Sequence, residues 1–311
     1  MITIFTIPKP FRGDIDIIQK NAIRSWTLLK PKCEIILFGD EKGVSETAKE
    51  FGIKHILQIK KNEFGTPLLS SVFNLAKERA NNNLLSFVNS DIILMDDFIR
   101  AVEEVRKRFS SFLIISQRWN LDIREAIQFN DANWALELRD SLIKNGSGFT
   151  GIDCFVFPRN LCPNFPPFLV GRLGWDNWFL YQAHILGIPS IDITKSVIAV
   201  HQNHDYSHYL GQKKGRVEIK NNLELLGGIS HVFTPREVDW VLTKQGFKKQ
   251  TTIPLLSYFY RCLGSLPIFY SYFNFLLKIT LFPVWLLSKI IIKLRGFVLK
   301  RKLPQMKRAM L

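Results

Sequence analysis

The chain has 311 residues, 47% of them hydrophobic, which is enough apolar bulk for one large domain and an appendage. Its net charge of +15 is unevenly spread: residues 1–239 hold 29 Lys and Arg with all 27 acids, and residues 240–311 hold 13 Lys and Arg with no acid. The near-neutral larger part excludes a basic catalytic domain built for nucleic acid, and the four cysteines, with no C-x-x-C pair, read as reduced structural thiols of an intracellular protein.

Met1–Ile7 reads as a first strand, ending at Pro8-Lys9-Pro10. The start, MITIFTIPKPFRGD, has no basic n-region and too short an apolar run for a signal peptide. Asp14–Leu29 carries Ile18, Ala22, Ile23 and Trp26 at helical spacing. Cys33–Phe38 is a second apolar strand, closed by Gly39-Asp40. Ser45–Phe51 is a helix stopped by Gly52, and His55–Ile59 is a third strand. Strand, helix, strand, helix, strand predicts a parallel sheet with right-handed crossovers. Asn62–Pro67 is a loop before a helix over Leu68–Ala80.

Leu84–Asp97, LLSFVNSDIILMDD, is the stretch that carries chemistry. An apolar run, Leu84–Val88, breaks into Asn89-Ser90-Asp91 and resumes as Ile92-Ile93-Leu94. A polar triad between two apolar runs belongs where a core strand reaches the surface, the edge at which open α/β sheets bind ligands. Asp91 is a hard oxygen ligand suited to Mg²⁺ or Mn²⁺, and Asn89 adds a carbonyl oxygen on the same side of an extended chain. Asp96 and Asp97 read instead as the start of a helix over Phe98–Phe109. Strand, Asn-Ser-Asp, Ile-Ile-Leu resembles the DxD region of GT-A glycosyltransferases, with Asn89 in place of the first Asp. The resemblance implies a nucleotide-sugar donor whose diphosphate and ribose meet Asn89, Ser90 and Asp91, and a divalent metal, Mn²⁺ or Mg²⁺, on Asp91. It also puts Pro8 among the donor contacts. Asp40, by position, matches the acid that touches the donor base or ribose, and a plain turn aspartate fits that position equally well.

Phe112–Ser116 is a further strand, followed by Gln117-Arg118-Trp119, and Trp134–Ile143 reads as a helix. In Gly148–Pro158, GFTGIDCFVFP, glycines, an acid and an apolar strand follow in the order of the GT-A acceptor side, which makes Asp153 an acceptor contact or a turn residue before the strand Cys154–Phe157. In Gly171–Leu180, GRLGWDNWFL, Asp176 stands between Trp175 and Trp178 where a helix begins. Aromatic rings offer a sugar an apolar face, and a carboxylate beside them can take a hydroxyl proton. The segment resembles the Trp-acid element of GT-A enzymes, which implies Asp176 as catalytic base of an inverting reaction, or as an acceptor-positioning residue of a retaining one, with Trp175 and Trp178 at the acceptor; a helix-start aspartate on an aromatic core face is the plainer alternative. Val197–Val200 leads into His201-Gln202-Asn203-His204-Asp205-Tyr206-Ser207-His208. The resemblance implies His201 as the second metal ligand, with His204 and His208 in the donor loop or on the surface. Lys213-Lys214-Gly215-Arg216 reads as a basic turn within reach of phosphate charge.

Beyond Thr251 bulky apolar residues alternate with single cations. The longest charge-free run, Cys262–Leu277, has 16 residues, short of the ~20 a spanning helix needs. Interfacial amphipathic helices suit it better.

The sequence therefore predicts an α/β chain with a GT-A-like, mostly parallel sheet over residues 1–245. Residues 246–311 are predicted to form a helical tail that lies on the cytoplasmic face of a membrane. The expected partners are a nucleotide-sugar, a glycan or lipid-linked acceptor and the membrane surface, with no nucleic acid. A sugar-phosphate nucleotidyltransferase is the nearest rival, although Pro8–Gly13 is poor in the glycines such enzymes carry after the first strand. A membrane-bound scaffold without activity is the other, and it leaves Asp91, Asp176 and His201 with no joint role.

Overall fold

The computed structural model describes residues 1–204 and 213–250; the predicted tail lies outside the described residues. The parallel block forms as the apolar runs predict. Strands β1 (Ile2–Thr6), β2 (Glu34–Phe38), β3 (Lys54–Ile56) and β4 (Leu84–Val88) lie in the order β3-β2-β1-β4, all parallel. Every residue of β1 and β4 is buried, because helices cover both faces. The connecting helices are α1 (Asp14–Thr27), α2 (Val44–Phe51) and α3 (Leu69–Arg79).

The second half departs from a mostly parallel sheet. The short β5 (Ile92–Ile93) leads into α4 (Asp96–Arg108), then β6 (Leu113–Leu121), α5 (Trp134–Asn145) and β7 (Ser147–Pro158). Strand β7 inserts between β4 and β6, antiparallel to both. Both β6 and β7 run well past the apolar segments Phe112–Ser116 and Cys154–Phe157. Their extensions are polar and bulged between Ser116 and Asn120, and Asn120 Nδ2 donates to Thr150 Oγ1 at 2.8 Å. Cross-strand bonding of this kind leaves no hydrophobic alternation to read.

The chain continues through α6 (Trp175–Ile185), β8 (Ser190–Asp192), β9 (Val200–Gln202), α7 (Lys213–Leu226), β10 (Trp240–Thr243) and β11 (Gly246–Lys249). The run expected to be a basic turn opens α7 instead. Strands β8 and β10 extend the sheet from β6, and β11 closes a hairpin on β10. The division expected at residue 245 therefore falls inside a hairpin of the sheet.

Two apolar layers sandwich the sheet. Trp26, Ile4, Val88, Phe98 and Ile114 fill one; Phe5, Phe73, Phe87, Phe155 and Phe179 fill the other. A third, smaller cluster, with Ile93, Trp119, Leu138, Leu142 and Val200, packs α5 against β5, β6 and β9. Cys33, Cys154 and Cys162 are free and buried. Among the described residues no helix is long and apolar enough to cross a membrane.

Candidate metal and nucleotide site

Strand order reverses at β1. The chain builds β2 and β3 on one side of it and returns to place β4 on the other. The crevice at the carboxyl ends of β1 and β4 is the switch point where open α/β sheets take their ligands. Pro8-Lys9-Pro10 leaves β1 there and Asn89-Ser90-Asp91 leaves β4.

The triad turns the chain, with Ile92 N donating to Asn89 O at 3.1 Å. It feeds β5, which pairs antiparallel with β9 so that Ile92 faces His201 in register. Helix α1 fastens this ribbon: Trp26 Nε1 donates to Ile92 O at 2.8 Å, and Leu94 N donates to Ser25 Oγ at 3.1 Å. Gln202 donates from its side chain to Ile18 O, and Asn203 Nδ2 donates to Asp122 Oδ1, which fixes the chain leading into His204.

Asp91, His201 and His204 converge, with their ligand atoms all within 4.8 Å of one another. Asp91 Oδ2 lies 3.6 Å from His201 Nε2 and 3.1 Å from His204 Nε2. The side chains of the two histidines are almost fully buried. Asp91 Oδ1 is buried and has no hydrogen-bond partner among the described residues. A carboxylate with Oδ2 beside two imidazole nitrogens and Oδ1 left without a partner among the described residues could hold a transition-metal ion, with a donor set closer to that of Mn²⁺, Fe²⁺ or Zn²⁺ than to that of Mg²⁺, which prefers all-oxygen shells. His204, expected in the donor loop or on the surface, belongs to this cluster. Burial would raise the Asp91 pKa, but the two imidazoles and the Lys9 ammonium more than offset it and hold the carboxyl below the usual carboxylate range.

Lys9 has no counterpart in the sequence expectations. Gln19 holds its backbone at two points, accepting from Lys9 N at 2.7 Å and donating to Lys9 O at 2.9 Å. The same Gln19 oxygen accepts from Ser90 Oγ at 2.9 Å, tying the β1 exit to the triad. Lys9 Nζ reaches to 3.3 Å from His204 Nε2. Burial lowers its pKa and the Arg118 charge lowers it further, against the raising effect of Asp91.

A second carboxyl stands beside the first. Asp153, on β7, is 5% exposed and accepts from Asn89 Nδ2 and, at 3.0 Å, from Arg118 Nη1. Its backbone oxygen accepts from Asn89 N at 3.0 Å. Burial, with the neighbouring Asp91 charge, pushes its pKa up to about 6 against the pull of Arg118. Gly151, at φ 57°, passes close by: a Cβ there would stand 3.2 Å from Asp153 Oδ2. Asp153 is thus part of the buried cluster rather than an open acceptor face.

The other predicted residues are placed apart from this cluster or on its margin. Pro8 is buried and flanks Lys9. Asp40 is exposed at the end of β2 and pairs with Lys61, which lowers its pKa. Asp176 is half-buried in the first turn of α6, where burial raises its pKa against the backbone amides of that turn. Trp175 and Trp178 are core residues, not a sugar platform. Trp175 packs 5.3 Å from Phe87 and 5.1 Å from Phe155, and Trp178 packs 5.2 Å from Phe165, ring centre to ring centre. The helix they share must bury an aromatic face against the sheet, and both indoles lie on it. Arg118 and Lys9 escaped the sequence reading for the same reason. Lys9 follows the end of β1 and Arg118 lies in the bulged stretch of β6, and only the Gln19 clamp and that bulge aim them at the triad.

No protein-family model and no curated protein matches the chain. Among solved structures it is similar to Staphylococcus aureus TarS in complex with UDP-GlcNAc, at 12% identity and a TM-score of 0.49 over 74% of this chain and 66% of that one. It is similar to the Pyrobaculum calidifontis mannosyltransferase PcManGT in complex with GDP-Man and Mn²⁺, at 14% identity and 0.43 over 74% and 62%. A third is Mycobacterium tuberculosis glucosyl-3-phosphoglycerate synthase in complex with Mg²⁺ and UDP, at 12% and 0.42 over 73% and 79%. The chain spans less than two thirds of the length of the first two.

Proposed function

We propose that this chain is a GT-A-type glycosyltransferase that moves a sugar from a nucleoside-diphosphate donor to an acceptor hydroxyl, with a divalent metal held by Asp91, His201 and His204. The observation that carries the reading is the buried Asp91 carboxylate at a strand-order switch point, with Oδ2 beside two imidazole nitrogens and Oδ1 without a partner among the described residues. Bound there, the ion supplies positive charge for the departing diphosphate.

The chain's own residues divide the remaining work. Lys9 adds a cation at the same crevice. Arg118 neutralises Asp153, and Asn89 and Gln19 fix the triad's turn. Asp176 takes the proton from the attacking hydroxyl. Its raised pKa makes it a stronger proton acceptor than an ordinary carboxylate, and the reaction inverts at the anomeric carbon. Residues beyond 250 hold the enzyme on the cytoplasmic face of a membrane, near a lipid-linked or glycan acceptor, through cations and bulky apolar side chains.

The test is a panel of nucleotide-sugars incubated with Mn²⁺, scored for donor binding by calorimetry and for donor hydrolysis. One donor is expected to bind with metal and to lose that binding in Asp91→Ala at unchanged fold. Undiminished donor affinity in Asp91→Ala would remove the reading's support. On the chemistry of the donor set, Mn²⁺ outperforms Mg²⁺.

A further inference from the structure

We infer that the cavity between α4, α5 and the β10–β11 turn is an anion site, separate from the metal cluster, that takes the phosphate group of a phosphomonoester.

Four parts of the fold build its walls. Helix α4 supplies Asp97, Arg100 and Glu104, α5 supplies Arg139, the link from β8 to β9 supplies Ser196, and the β10–β11 turn supplies Lys244. The space measures about 560 Å³, within the usual range of small-molecule sites. The turn that carries Lys244 is fixed. Thr243 Oγ1 donates to Gly246 O at 2.9 Å and accepts from Gln245 N at 3.2 Å. Ser196 Oγ donates to Leu242 O at 3.0 Å, which ties the β8–β9 link to β10. None of Asp91, His201 and His204 lines the cavity, so this site stands or falls apart from the metal reading.

Charge decides the ligand. Both acids on the wall are already paired. Asp97 Oδ2 accepts from Arg139 Nη2 at 2.8 Å and from Ile198 N at 3.3 Å, and Glu104 Oε1 accepts from Lys107 Nζ at 2.5 Å. Arg100 and Lys244 are exposed and have no hydrogen-bond or ion-pair partner among the described residues. Arg139 donates through Nη2 alone, and Asp97 holds it in place. What faces the cavity is therefore two uncompensated cations and the remaining nitrogens of an anchored guanidinium. A phosphomonoester carries about −1.5 to −2 charge near pH 7 and three acceptor oxygens, which matches that set. A carboxylate, with a single charge, leaves one of the two cations unpaired. Lysine supplies a point charge and arginine a planar fork, and phosphate accepts both.

Inorganic phosphate is the first probe, titrated into the metal-free full chain by calorimetry. Wild type is expected to bind it, and Arg100→Gln/Lys244→Gln to bind it about tenfold more weakly. Both side chains are exposed and unpaired, so this variant is expected to keep the thermal midpoint of wild type. Lys248→Gln/Lys249→Gln removes the same charge from exposed positions of β11 outside the cavity and is expected to bind phosphate as wild type does. No binding by wild type, undiminished binding in the cavity variant, or equal weakening in both variants overturns the inference. Phosphatidylcholine vesicles with and without phosphatidic acid then separate a lipid monoester from a soluble one. If the phosphate is a lipid's, phosphatidic acid raises vesicle binding and the cavity variant alone loses that gain. If it is a soluble one, the gain is the same in both variants while the cavity variant still binds inorganic phosphate weakly.

Discussion

Asp91 and Asp153 are neighbouring carboxyls driven in opposite directions by their partners. Two imidazoles and Lys9 keep Asp91 ionised, whereas Asp153 is left with Arg118 and an amide and titrates near pH 6. In the unfolded chain Asp153 titrates near ~3.9, so the fold disfavours its ionised form. The resulting penalty is absent below about pH 4, grows as pH rises to about 6 and is complete above it. Asp153→Asn is therefore expected to gain on wild type by ~1–3 kcal/mol between pH 4 and pH 7.5, measured by denaturant unfolding of the metal-free protein. A gap that does not change with pH would mean that Arg118 already keeps Asp153 ionised. Asp176→Asn keeps size and polarity but cannot accept a proton. It is expected to cut turnover by ~10²-fold or more with donor affinity nearly intact, and near-normal turnover would leave the reaction without its base. At this scale the sequence was legible where chemistry sits at the end of an apolar run. Asp91 after Val88 and His201 after Val200 are such cases. It was silent on Lys9 and Arg118, which a clamp and a bulge bring in, and it put His204 in the donor loop or on the surface, because nothing in the sequence shows that the chain after β9 leads that residue back to Asp91.

Helix α7 governs how the loop 62–67 and the start of α6 are held. Glu218, fully buried, accepts from Arg172 Nε at 3.0 Å and Nη2, from Asn62 Nδ2 at 2.9 Å and from Thr66 Oγ1. One carboxylate thus joins the loop 62–67 to the segment before α6. One turn on, Asn222 pairs with both backbone groups of Leu169, at 2.8 and 3.1 Å. Gly174, at φ 104°, packs so closely that an added Cβ would meet Leu226 Cδ2 at 3.3 Å. These contacts set where α6 begins, and so where Asp176 stands. Glu218→Gln leaves the Arg172 charge uncompensated and is expected to cost ~3 kcal/mol of stability. It should also lower kcat while leaving Mn²⁺ affinity unchanged; a fall in Mn²⁺ affinity of the folded variant would show that α7 supports the metal cluster instead. The parallel block was readable because strands buried on both faces are continuous apolar runs. Strand β7 was readable only over its apolar half, since Ser147–Gly151 pairs through polar and glycine positions. Glu218 carries no mark in sequence, standing on a helix among lysines and asparagines like any solvated acid.

Over the whole molecule, charge and topology point the same way. The sheet runs from β3 at one edge to the β10–β11 hairpin at the other, and the acid-free remainder of the chain continues from that hairpin. Beside it Arg108 lies 4.4 Å over the Trp240 ring and 5.0 Å over Phe247. The full chain is expected to sediment with anionic vesicles at low salt and to be only partly released at high salt, because apolar insertion is not screened. Recovery in the supernatant at low salt would mean that the tail packs on protein instead. The place of β7 has a further consequence, for biogenesis. It sits between β4 and β6 but is made after both. During synthesis, from about residue 88 until residue 158 emerges, β4 presents an unpaired edge whose side chains are all apolar but Ser86. Such an edge is a template for pairing with another chain. Ribosomal stalling or truncation within that window is therefore expected to yield aggregates, and chaperone dependence should concentrate there.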